Sequence, residues 1–274
     1  MANDANQFSY FKIHSEYSIC EGAIKIDDLA KTCKEYKIKS VGLCDSYNLC
    51  GALEFAEKLS KSGSHPIIGT QVNFKFGSEI GKIPLFATTE KGYKNLIKLS
   101  SKSYLENDDI SEPHCTLSDL KKLHEDLIIL TGGHFDFFGN LFKLNKNKII
   151  SEILLDLKKV FKERIYIELQ RHKEPGEKSF ENFLINLSST TQLPLIASQE
   201  VYYLKKDMFE AHDALICIGE KSFIDDQSRK RYSSEHYLKD SDSLKKLFSD
   251  LPEALENNYN FPFRFNFKPK KSLP

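Results

Sequence analysis

Short apolar runs separated by amphipathic stretches recur from residue 9 to about residue 203. A chain built on that alternation buries its strands by laying helices over a sheet. Residues 9–14 read as a strand and 26–36 as a helix, with Ile26, Leu29, Ala30 and Cys33 on one face at three- and four-residue spacing. Strand signals follow at 40–44, 67–76, 83–87, 127–130, 164–169 and 193–197, with helical patterns at 49–59, 93–104 and between the later strands. Such alternation predicts a mainly parallel sheet, and about seven units in 200 residues favour a closed barrel over an open sheet. After residue 203 the pattern turns helical or irregular, and Pro252 suits the first turn of a helix over 253–258. The end, NFPFRFNFKPKKSLP, carries three prolines and no helical period, so it reads as an extended linker.

Composition excludes several classes of function. Lys plus Arg and Asp plus Glu stand at 39 each, so no global positive field gathers nucleic acid, and any grip on DNA must come from elsewhere. Six cysteines are scattered without a CxxC pair, which points to reduced thiols rather than a secreted disulfide framework. The first residues lack a signal-peptide pattern, and no stretch approaches the roughly 18 to 20 apolar residues of a membrane helix. The expectation is a soluble cytoplasmic protein with no membrane partner.

The polar residues of interest lie where these strands end, which is where barrel active sites form. They are Lys12, His14, Ser15, Tyr17, Ser18 and Glu21 after the first strand, Asp45 and Ser46 after the second, then Gln71, Glu200 and Tyr202. FKIHSEYSICEG resembles the first motif of the PHP (polymerase and histidinol phosphatase) family, and VGLCDSYNLCGALEFAEKL its second. HPIIGTQV, LIILTGGHF and LPLIASQEVYYL are similar to three later motifs. EAHDALICIGEKSFIDDQSRKRY and YLKDSDSLKKLFSDLPEALENN resemble the segment that closes this domain in DNA polymerase III alpha subunits, a segment that free-standing phosphatases of the family lack. The resemblance implies a distorted seven-stranded α/β barrel closed by a helical C-terminal segment. Its divisions would be a disordered 1–7, the PHP domain at 8–261, and a linker at 262–274 to polymerase domains absent from this chain.

Active members of the family are implied to gather His, Asp, Glu and Cys ligands around about three divalent metals, which activate water and neutralise phosphoryl oxygens. By resemblance the ligand positions here are Lys12, His14, Glu21, Ser46, Gln71, Gly133, Glu200 and Tyr202, and one family ligand has no assigned counterpart. Only His14, Glu21 and Glu200 keep a group able to hold a metal, while a charged Lys has no lone pair and repels cations. The expectation is therefore no catalytic residue, no cofactor and at most one weakly bound divalent metal. His14 is then either a remnant ligand or a hydrogen-bonded barrel residue. Lys12 should lie within about 4 Å of Glu21 or Glu200, because buried carboxylates robbed of a cation need another.

Two further clusters admit alternatives. His114, Cys115, His134 and His172 are either a second site or loop residues, and lack metal-type spacing. The aromatic-basic FPFRFNFKPKK is either a nucleic-acid stacking stretch or a packed segment between domains. The leading functional expectation is a catalytically silent scaffold whose partners are the remaining domains of the polymerase alpha chain and the proofreading exonuclease subunit, with weak or no DNA binding of its own. The alternatives are a metal-dependent phosphoesterase or 3'-5' proofreading exonuclease on the same fold, and a free-standing sugar-metabolising barrel.

Overall fold

The computed structural model describes residues 7–107, 112–226, 228–229 and 231–271. The expected disordered N-terminus, apart from Gln7, and the last three residues of the tail lie outside them. The elements run β1 (Tyr10–Ile13), α1 (Ile26–Glu35), β2 (Ser40–Ser46), α2 (Ala52–Ser62), β3 (His65–Phe76), β4 (Glu79–Ala87), α3 (Glu90–Leu105), β5 (Cys115–Thr116), α4 (Leu117–Lys122) and β6 (Leu127–Leu130). There follow α5 (Phe137–Lys143), α6 (Asn147–Phe161), β7 (Ile165–Leu169), α7 (Glu177–Thr191), β8 (Leu195–Ala197), β9 (Glu200–Val201), α8 (Phe209–Glu220), α9 (Ser241–Leu247) and α10 (Pro252–Asn260). The second helix begins three residues later than its periodicity suggests. Asn48 first makes a local turn, accepting from Cys50 N at 3.0 Å and donating to Tyr17 O at 2.8 Å.

Strand order is β8-β7-β6-β4-β3-β2-β1-β9, with β5 paired to β3 off this path. The two ends of the path are neighbours in sequence, separated only by Ser198 and Gln199. One bent run, 195–201, thus pairs with β7 through its first half and with β1 through its second. Counted as one strand, it completes a curled sheet of seven, which is the α/β barrel the motifs imply. The sheet is mixed rather than all parallel. β4 runs antiparallel to both β3 and β6, because β3 returns into β4 through a tight turn at Gly77, whose φ is +62°.

β1 holds a bulge that matters for the site. Tyr10 pairs with Val41 and Ile13 with Leu43, so two residues of β1, Phe11 and Lys12, oppose one of β2, Gly42. Tyr10 and Ile13 join the outer core beneath the helices, while Phe11 packs inside the barrel and Lys12 is fully buried above it. A Cβ at Gly42 would come within 2.6 Å of Phe11 Cα, so this close approach of β2 to the bulge requires glycine.

The barrel interior has an apolar base of Phe11, Cys44, Ile67, Phe86, Ile128 and Tyr166, among others, plugged by Phe261 and Phe265. The tail is therefore not an extended linker from residue 262. It makes a 3-10 turn at Phe261–Arg264, buries Phe265, and sets the Phe267 ring 5.3 Å from Tyr93. Of its aromatic residues, Phe263 is the one left in solvent, at 81% exposed. Packing, rather than base stacking, accounts for the spacing of the others. Pro252 occupies the first turn of α10, as its position suggests.

Candidate functional site

Above the apolar base the strands present polar side chains inward, and the deepest is Lys12. Its side chain has no solvent exposure, and Nζ lies 3.1 Å from Glu200 Oε1, 3.2 Å from Asp136 Oδ2 and 3.6 Å from Glu168 Oε1. Burial alone would push this ammonium down, but the three carboxylates hold it well above the ordinary lysine value, so it stays charged. Burial would likewise raise Glu200, yet Lys12 and the hydrogen bond from His14 hold its carboxyl well below the usual range. Asp136 and Glu168 are pushed up by burial, against the pull of Lys12. One lysine thus serves one fully ionised carboxylate and two reluctant ones. The contact expected between Lys12 and one of Glu21 and Glu200 is made with Glu200.

Glu200 Oε1 also accepts from His14 Nε2 at 2.9 Å and from Gln71 Nε2 at 2.8 Å. This bond commits the His14 nitrogen that faces the cleft, and the Gln71 amide presents a donor to the same oxygen. His14 Nδ1 lies 3.2 Å from Ser18 Oγ, and its ring stacks on Tyr202 at 4.5 Å. Beside it, buried Asp45 accepts from Ser15 N, Ser15 Oγ and Ser18 Oγ, each at 2.7 Å. That carboxylate pins the loop after β1.

Nearer the mouth, Glu21 meets a different cation. Lys82 Nζ, from β4, lies 2.5 Å from Glu21 Oε1 and 3.0 Å from Ser46 Oγ. Ser46 Oγ in turn donates to Glu21 Oε2 at 2.5 Å. The Lys82 side chain is 12% exposed, and Glu21 holds its pKa above the ordinary lysine value against the cost of burial. At Gly133 the room a side chain would need is taken. A Cβ there would stand 2.2 Å from Gln170 Oε1, and Gln170 donates to Glu168 Oε1 at 2.8 Å.

The structure brings Lys12, His14, Gln71 and Glu200 together on the floor and Glu21 with Ser46 at the mouth. Tyr202 forms a wall, its hydroxyl 3.4 Å from that of Tyr232. Sequence reasoning missed Lys82, Asp136, Glu168 and Gln170. Glu168 and Lys82 carried a readable signal, since each is a charged residue inside a strand otherwise apolar on its inward side. Asp136 gave none, being fixed by the loop after β6, where Gly133 N donates to it at 2.7 Å.

The imagined second site does not assemble. His114 is half-buried with Nδ1 2.7 Å from Glu112 O, while Cys115 is buried with Sγ 3.3 Å from Leu99 O. His172 is buried, stacked on His236 at 4.0 Å, accepting from Glu200 N at 3.3 Å and pushed well down by burial. His134 packs against Phe135 and Phe180. Among the described residues no group of three or more His, Cys, Asp or Glu is arranged to hold a metal ion.

The donor set does not suit the family's divalent cations. Ammonium groups stand among the acidic side chains, the cleft-facing nitrogen of His14 is spent on Glu200, and Gln170 fills the space beside Gly133. The model of the PHP domain matches residues 11–172. The chain is 35% identical over 275 residues to the DNA polymerase III subunit alpha of Caulobacter vibrioides, covering 97% of this chain and 24% of that protein. With the same subunit of Borreliella burgdorferi it shares 34% identity over 264 residues, 92% of this chain and 23% of that protein. The chain thus spans about a quarter of the length of the curated relatives it matches. In fold it is similar to a candidate metal-dependent phosphoesterase from Bifidobacterium adolescentis, with a TM-score of 0.50 over 89% of this chain and 96% of that one, at 8% identity.

Proposed function

From the premise that this chain belongs to the PHP domain family, we propose that it serves as the PHP domain of a DNA polymerase III alpha subunit and has lost metal-dependent chemistry. In this reading it braces the polymerase domains of the same chain and docks the proofreading exonuclease subunit, in the cytoplasm. The observation that carries the reading is the Lys12 ammonium, fully buried within 3.6 Å of three carboxylates. A phosphoesterase of this fold needs cations there to activate water and neutralise a phosphoryl oxygen. An ammonium satisfies the carboxylates but offers no coordination position for water. The likeness to two alpha subunits over nearly the whole chain supports the polymerase setting. With 39 basic and 39 acidic residues, DNA contact by this domain is weak and salt-sensitive. No helix among the described residues is long and apolar enough to cross a membrane.

The test combines elemental analysis after mild dialysis, a phosphodiesterase assay with added Mn²⁺, and titration against the cognate exonuclease and primed DNA at near-physiological salt. The expected result is no stoichiometric Zn, Mn or Fe, background hydrolysis, and saturable binding of the exonuclease alone. Tight DNA binding without exonuclease binding, or one metal per chain, would refute the reading.

A further inference from the structure

The mouth of the cleft repeats, with other residues, what Lys12 does on its floor. Lys82 reaches in from β4, Glu21 from the loop after β1 and Ser46 from the end of β2. Three separate elements therefore converge on one ammonium. Each Glu21 oxygen has its own donor there, Oε1 from Lys82 and Oε2 from Ser46, both at 2.5 Å. The Tyr47 ring lies 5.0 Å from Nζ and closes another side. With side-chain exposures of 12% and 19%, the Lys82–Glu21 pair is largely withdrawn from water, unlike a solvated surface ion pair. Glu21 and Ser46 are both positions that, by the family's motifs, face metal.

We propose that Lys82 is a second resident cation, occupying between Glu21 and Ser46 the place a divalent ion would take, so that the ammonium and such an ion exclude one another. The inference rests on the cleft being a vacated metal site and adds that the vacancy was filled twice, on the floor by Lys12 and at the mouth by Lys82. Replacing Lys82 by glutamine leaves a carboxylate, a hydroxyl and an amide oxygen around a cation-sized space. That all-oxygen set suits Mg²⁺ or Mn²⁺.

The experiment titrates MnCl₂ calorimetrically into the parent chain, Lys82→Gln, Lys82→Met and the Lys82→Gln/Glu21→Gln double variant, with thermal melts alongside. The parent is expected to show no Mn²⁺-dependent shift in Tm. Lys82→Gln should bind Mn²⁺ at least about tenfold more tightly than the parent, with a Tm that rises with Mn²⁺. The double variant should lose that gain, which places the ion at Glu21. Lys82→Met keeps the aliphatic stem and carries the same reading if Lys82→Gln does not fold; if neither folds, recovery by Mn²⁺ supports the proposal and its absence overturns it. Equal Mn²⁺ affinity in Lys82→Gln and the parent, or a gain that survives Glu21→Gln, also overturns it. A parent that binds Mn²⁺ stoichiometrically sinks the vacated-site reading as well, whereas a metal-free parent with an Mn²⁺-blind variant sinks only the role of Lys82.

Discussion

Replacing Lys12 by methionine keeps a linear stem of similar length and deletes the charge. It leaves Glu200, Asp136 and Glu168 facing one another without their shared cation. Removing one partner of a buried ion pair costs about 3–5 kcal/mol, a large share of the roughly 5–15 kcal/mol that holds a domain folded. With a urea slope of about 3 kcal/mol per molar, the unfolding midpoint should fall by about 1–1.7 M at pH 8. The deficit should shrink at pH 5. In the parent, Glu200 is held below its ordinary value, so its contribution is complete above the unfolded carboxylate range and is lost only as pH falls through its folded value. In the variant, burial acts on all three carboxyls with Lys12 gone. Groups with raised values lose stability as pH rises, so the gap between parent and variant widens from pH 5 to pH 8. Urea titrations at both pH values, with the 91%-exposed Lys148→Met as control, measure it. A midpoint shift under about 0.3 M would show that Lys12 compensates nothing, and a gap identical at both pH values would assign the loss to packing.

Two further outcomes follow from the base and the wall of the barrel. Phe265→Ala should cost about 3–5 kcal/mol in urea unfolding, because Phe265 is buried inside the barrel, whereas exposed Phe263→Ala should stay within about 0.5 kcal/mol. Burial lowers His212 from 6.5 to about 4 while its Nε2 donates to Glu21 O, so between these values the unfolded chain binds a proton the folded chain refuses. Stability should therefore fall as pH drops from 6.5 to 4, by up to about 1.4 kcal/mol per pH unit from this group. His212→Gln should flatten that slope in pH-dependent melts without abolishing it, since His172 is lowered too.

The barrel was legible because its strands are short apolar runs spaced by helical periods, and 127–130 matches β6 residue for residue. The antiparallel course of β4 was not, since strand direction follows from turn geometry and partner choice rather than from composition. The tail misled for a related reason. Prolines and basic residues read as linker, while the register that turns Phe261 and Phe265 inward depends on a cavity no local window contains. In the cleft, the motif positions marked where the family's ligands were expected, and charge balance alone called for a cation near Glu200. That Glu21 would take its cation from Lys82 was hidden, because the two residues are 61 apart in sequence and meet only when β4 stands two strands from β2.

The bent run at 195–201 gives the barrel a particular folding order. β1 pairs with β9 in a register that sets Lys12 against Glu200, 188 positions later in the chain, and Asn258 bonds back to both Ser9 and Ala197. Contacts of such separation form late and slowly, after the local hairpins and helices. During synthesis β1 therefore waits with one edge unpaired until residue 201 has emerged, and an unpaired edge invites association with other chains. The Lys12–Glu200 contact depends on that long-range closure, so no local segment of the chain can assemble the charged floor of the cleft by itself.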